Sequence, residues 1–100
     1  MNPRGLTYVA PSSIHGRGLF ARGRIPRGTF IGSFRGPRAR RDGRYVLWVY
    51  YSRRVVARSG RNKLRYLNHS DRPNAEFDGF DLYAKRTIRP DEEITIHYDP

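Results

Sequence analysis

The residues best suited to chemistry fall in short, scattered stretches. Asn68-His69-Ser70 stands in a polar run, Arg65 to Asn74, that offers a hydrophobic core little beyond Tyr66 and Leu67. Asn, Ser and Asp side chains bond to nearby backbone and favour turns. Polar loops carried on a rigid scaffold often bind or catalyse. Gly16-Arg17-Gly18 permits close approach of a ligand to the backbone, because glycine has no Cβ. It lacks the third spaced glycine and the strand–helix setting of a dinucleotide fingerprint, and read alone it is a β-turn. Tyr45, Tyr50 and Tyr51 bring hydroxyls to one segment, and spacing does not choose which of them lines a pocket. Glu92-Glu93 looks like a carboxylate pair. Adjacent strand residues point to opposite faces, so the two are not expected to share a proton, and a turn with a solvated edge is the expected role. His15, His69 and His97 lie in separate segments with no short-range ligand pair, and no metal is expected.

Strands must position these groups. No window of eleven or more residues has helical periodicity, and short β-branched or aromatic runs alternate with turn signals. Residues 6–10, 29–34, 45–51, 55–57 and 93–98 read as strands, the run from Tyr45 to Tyr51 being the strongest. Ala75-Glu76-Phe77 and Phe80 to Ala84 flank Asp78-Gly79, a hairpin signal. A single helical turn is expected near Lys63–Leu67.

At 100 residues the chain makes one domain, spanning 1–100, and with 37% hydrophobic residues its core is small. No run of about eighteen apolar residues is present, so no membrane span is expected. Without cysteine there are no disulfides and no thiolate metal sites. That, and the lack of an apolar N-terminal signal region, fits a cytoplasmic location. The net charge of +11 is uneven. Residues 1–65 hold 16 Lys/Arg and one acid, Asp42, for +15; residues 66–100 hold four bases and eight acids, for −4. Eighteen of the twenty bases are Arg, which suits bidentate contact with phosphate and carboxylate. Such a surface favours nucleic acid or a chromatin-like acidic partner.

Three blocks occur in order: Ile14 to Ala21 with Gly16-Arg17-Gly18; Arg65-Tyr66-Leu67-Asn68-His69-Ser70 with Pro73-Asn74; and Glu92-Glu93-Ile94-Thr95-Ile96-His97-Tyr98. Together they resemble the SET domain of protein-lysine methyltransferases, over about residues 7–99. The family's blocks are Gly-x-Gly, Arg-Phe-x-Asn-His-Ser-x-x-Pro-Asn and Glu-Glu-Leu-Thr-x-Asp-Tyr. Ala84-Lys85-Arg86-Thr87-Ile88 fits the segment before the last block.

The resemblance implies a mostly β fold of several small curled sheets with little helix, the β-clip fold, its last block threaded into a C-terminal pseudoknot. It implies S-adenosylmethionine on one face and a protein lysine entering a narrow channel from the other, with transfer of a methyl to the ε-amine and S-adenosylhomocysteine as product. By motif, His15, Gly16, Arg17 and Gly18 offer backbone to the cofactor, Asn68 and His69 bind it, and Arg65 assists. Tyr98 matches the catalytic tyrosine, and Tyr45 is the candidate for a second channel tyrosine. No metal is required.

Departures from the pattern qualify this. Asp71 stands where many members have a Cys that leads into a zinc-binding segment; His97 replaces the frequent Asp, and Asp91 the frequent Gly. In such members that segment covers the cofactor and completes the lysine channel; here that wall is expected from a second subunit or from the substrate, which favours a homodimer. The competing expectation is a weakly catalytic or non-catalytic module of the same fold, holding nucleic acid or an acidic protein on its Arg-rich surface.

Overall fold

A computed structural model describes residues 5–98. The ends of the expected domain, residues 1–4, 99 and 100, lie outside the described residues. Strands dominate: β1 (Thr7–Pro11), β2 (Arg17–Ala21), β3 (Phe30–Ser33), β4 (Val46–Tyr50), β5 (Val55–Ser59), β6 (Asn68–His69), β7 (Ala75–Asp78), β8 (Asp81–Ala84) and β9 (Glu93–Ile96). A single 3-10 turn, Lys63–Tyr66, sits where the helical turn was expected. Among the described residues no helix is long and apolar enough to cross a membrane.

The strands form separate small sheets: β1-β2-β9-β6, β3-β8-β7, and the ribbon β4-β5. No strand exceeds five residues, and Gly or Pro interrupts the chain between many of them. The core lies where the first two sheets meet, and Leu19, Ile25, Leu82, Ile88 and Ile94 are buried at its centre. Each such side chain contributes about 1.5–3 kcal/mol through burial. Leu64 and Leu67, on either side of Arg65 and Tyr66, anchor the 3-10 turn in this core.

Two local expectations are corrected. The β7–β8 hairpin pairs Asp78 with Asp81, so its loop residues are Gly79 and Phe80 rather than Asp78 and Gly79. Gly79 takes the positive φ (62°) that such a tight turn demands. The strongest predicted strand is shorter than expected, with Tyr45 and Tyr51 flanking β4 rather than belonging to it.

Topology explains how remote sequence blocks meet. β9 inserts between β2 and β6, antiparallel to the first (Leu19↔Ile94) and parallel to the second (Asn68↔Thr95, His69↔Ile96). The last strand therefore occupies a seat framed by chain laid down much earlier, the arrangement the pseudoknot expectation describes.

Candidate functional site

Polar side chains lock β9 into that seat. Asn74 is 1% exposed and behaves as a surrogate strand. Its Oδ1 accepts the Thr95 N–H at 2.9 Å and its Nδ2 donates to the Glu93 carbonyl at 2.8 Å. Buried backbone groups need such partners, and the Pro73-Asn74 turn supplies them. The Glu93 carboxylate accepts the Ser12 hydroxyl at 2.6 Å and Asn68 Nδ2 at 2.8 Å. Asn68 Nδ2 also lies 3.1 Å from the carbonyls of both His15 and Arg17. One carboxylate and one amide thus join all three sequence blocks.

The carboxylates of Glu92 and Glu93 bond different partners, yet neither is a solvated edge; both are half-buried. Glu92 accepts the Arg89 N–H at 2.9 Å and lies 3.6 Å from Arg86. Desolvation pushes its carboxyl up, but the hydrogen bonds from Arg89 and Asn74 and the Arg86 charge outweigh this and hold it below the usual value.

The two glycines of the first block serve different ends. Gly16 adopts a positive φ of 45°. Gly18 is buried against the Glu93 side chain, and a Cβ there would fall on Oε2 and 2.8 Å from Cδ. Gly18 thus makes room for the carboxylate that holds Asn68.

Above this hub lie two clefts. The first, about 770 Å³, is lined by His15, Gly16, Arg17, Asn68 and His69 together with Arg44, Tyr45, Arg65, Tyr66 and Tyr98. The second, about 1170 Å³, runs between β4 and β7, past Trp48, Tyr50, Glu76, Phe77 and His97, and also reaches Tyr98. Asp42, Val46 and Tyr98 line both. Tyr98 is therefore at the junction, whereas Tyr45 lines the first cleft and not the second.

Tyr98 is held at three points. Its hydroxyl donates to the Leu67 carbonyl at 3.3 Å, and burial of that end raises the phenol above its ordinary pKa, although the residue as a whole remains 43% exposed. Its backbone N–H donates to His69 Nδ1 at 3.0 Å. Its ring stacks on His69, centroids 6.3 Å apart.

Of the residues expected at a site, seven line the first cleft with Tyr98: His15, Gly16, Arg17, Tyr45, Arg65, Asn68 and His69. Gly18 lies beneath them. Arg65 donates to the Arg61 carbonyl at 2.8 Å and to the Tyr66 hydroxyl at 2.7 Å, and stacks on both Tyr45 and Tyr66, so it also braces the aromatic wall. The histidines do not form a trio: His69 and His97 face each other at 4.7 Å, while His15 lines the first cleft. Asp71 completes a different group, its ligand atoms and theirs all within 4.8 Å of one another. His69 offers that group only Nε2, since its Nδ1 receives the Tyr98 N–H. A metal on Nε2 requires a proton on Nδ1, so ligation would break the bond to Tyr98.

Sequence reading missed Asp42, Arg44, Glu93 and Asn74. The latter two were inside recognisable blocks, but their work is done through hydrogen bonds across the fold. Asp42 and Arg44 lie in an Arg-rich loop with no motif.

Comparison with known proteins gives a consistent picture. No curated protein matches the sequence. The methyltransferase domain of human histone-lysine N-methyltransferase SETMAR superposes with a TM-score of 0.81 at 23% identity, over 92% of this chain and 44% of that one. The methyltransferase domain of human PR domain-containing protein 2 gives 0.75 at 22% identity, over 95% and 78%. A humanized mutant of the Chaetomium thermophilum Polycomb Repressive Complex 2, bound to the inhibitor GSK126, gives 0.78 at 20%, over 94% and 15%. At these identities the likeness is one of fold. Residues 16–99 match the SET domain family, and the chain belongs to it.

Proposed function

We propose that this domain transfers a methyl group from S-adenosylmethionine to the ε-amine of a protein lysine. The observation that carries the reading is Tyr98, set at the junction of two clefts by Leu67 and His69. The first cleft suits the cofactor in size and donor set. Its volume falls in the range of small-molecule sites. Arg17, Arg44 and Arg65 match a carboxylate, the carbonyls of His15 and Arg17 match an ammonium, and the Tyr45–Tyr66 wall matches a flat base. S-adenosylmethionine, when bound, supplies an electrophilic methyl on a positively charged sulfur.

The second cleft takes the peptide. A lysine entering from it meets Tyr98 as it leaves water, and desolvation favours the neutral amine that attack requires. The Tyr98 hydroxyl is protonated near neutral pH, as a phenol ordinarily is, and burial pushes its pKa further up. It orients the amine rather than acting as a strong base. The Leu67 carbonyl, already engaged by that hydroxyl, is a second acceptor at the same point.

The test is transfer of labelled methyl to Lys-containing proteins by the wild type and Tyr98→Phe, alongside calorimetry with S-adenosylmethionine. Cofactor binding by both, with transfer only by the wild type, supports the reading. A folded wild type that neither binds nor transfers rejects it.

A second reading is supported by the exposed Arg38, Arg40, Arg41, Arg53 and Arg54 on and beside the ribbon. It is docking on nucleic acid or an acidic protein, compatible with catalysis. Binding to DNA or RNA that weakens steeply with salt supports it, and absence of binding at low salt removes it.

A further inference from the structure

Asp71 has no part in the cofactor or peptide clefts, and its side chain is 92% exposed. It nevertheless lies one hydrogen bond from the residue that holds Tyr98. Its Oδ1 is 3.1 Å from His69 Nε2. The other ring nitrogen, Nδ1, is 3.0 Å from the Tyr98 backbone nitrogen. An amide nitrogen can only donate, so Nδ1 must present a lone pair. In a neutral ring the proton then sits on Nε2, facing a carboxylate that can only accept. The Nδ1–H tautomer would place two N–H groups against each other at Tyr98 and two acceptors against each other at Asp71.

We propose that Asp71 is a positioning residue that acts through His69 on Tyr98. It fixes the Nε2–H tautomer and the ring plane, and His69 in turn fixes the backbone of Tyr98 just beyond the end of β9. The role of Tyr98 in transfer rests on the function proposed above; the tautomeric coupling does not.

The decisive experiment is nitrogen-15 NMR of the imidazoles in the wild type, Asp71→Ala and Asp71→Asn, with amide exchange at Tyr98 and transfer kinetics on the same samples. The exposure of Asp71 means that the variants should keep a native amide spectrum. The wild type should show His69 as the Nε2–H tautomer. Asp71→Ala should give mixed tautomers, faster exchange at the Tyr98 amide and about tenfold lower turnover, with cofactor affinity within about twofold. Asp71→Asn retains an acceptor oxygen and should restore both tautomer and turnover. An unchanged His69 tautomer and unchanged Tyr98 exchange in Asp71→Ala would overturn the proposal, whatever the activity. A tautomer shift in a protein that transfers no methyl upholds the coupling and rejects the methyltransferase reading instead.

Discussion

The seat of β9 and the β4–β5 ribbon are built from opposite materials. The ribbon contains the most strand-like residues in the chain, yet Trp48, Tyr50 and Val55 are exposed, and among the described residues its two strands gain no more than an isolated bridge, Arg38 to Arg58, along the other edge of β5. The seat contains short, polar-flanked strands, yet Ile94, Thr95 and Ile96 are buried, and β9 pairs with β2 through Glu93 and Ile94 and with β6 through Thr95 and Ile96. Around β9, side chains complete the backbone pairing: Asn74 stands in for a strand, and Glu93 ties Asn68 to Ser12. Around the ribbon, Arg side chains lie over rings instead, Arg54 on Tyr51 and Arg58 on Phe80. Geometric precision here comes from satisfied polar groups at depth, whereas the ribbon supplies a wall and a charged surface.

The largest expected effect is at the point where the two regions meet. Tyr98→Phe should lower methyl transfer by about a hundredfold or more, with cofactor binding nearly unchanged, in single-turnover assays. Next, Asn74→Ala strips partners from the buried Thr95 N–H and Glu93 carbonyl. It should cost about 2–4 kcal/mol in urea unfolding. Gly18→Ala pushes on the Glu93 carboxylate and should cost about 1–3 kcal/mol while weakening cofactor binding in calorimetry.

Acid should separate the regions more gently. The depressed Glu92 carboxyl contributes stability that is fully present above the ordinary glutamate pKa and is lost as pH falls through its lowered value. Arg86→Ala should reduce that acid-dependent loss, measured as Tm against pH. The smallest effect belongs to the ribbon: Tyr50→Ala should change stability by about 0.5 kcal/mol or less. A Tyr50→Ala cost as large as that of Asn74→Ala would erase the distinction drawn above.

Much of this was legible in the residues. The β1, β5 and β9 segments, the helical turn near Lys63 and the strand-rich character follow from alternation and turn chemistry. The three blocks pointed to the residues that gather at the first cleft. What could not be read were relations that exist only across the fold. Glu92-Glu93 looked solvated because nothing local shows that Ser12 and Asn68 converge on Glu93. Spacing did not choose among the hydroxyls of Tyr45, Tyr50 and Tyr51, and only the path of the chain puts Tyr45 in the first cleft, Tyr50 in the second and Tyr98 in both. The exposure of β4 was hidden for the same reason, since apolar content does not reveal whether a second layer covers a strand.

The seat of β9 also sets a timetable. Its bonds join Ser12 to Glu93 and Tyr8 to Asp91, residues 81 and 83 positions apart. Closing loops of that length is slow compared with forming local hairpins. As the chain emerges from the ribosome, β7–β8 and the ribbon can form while β2 and β6 still flank a gap. Until residues 93–98 arrive, Leu19 and Leu67 lack the partners that cover them. Until then the partly folded domain exposes apolar surface that its finished form buries, the kind of surface that invites aggregation.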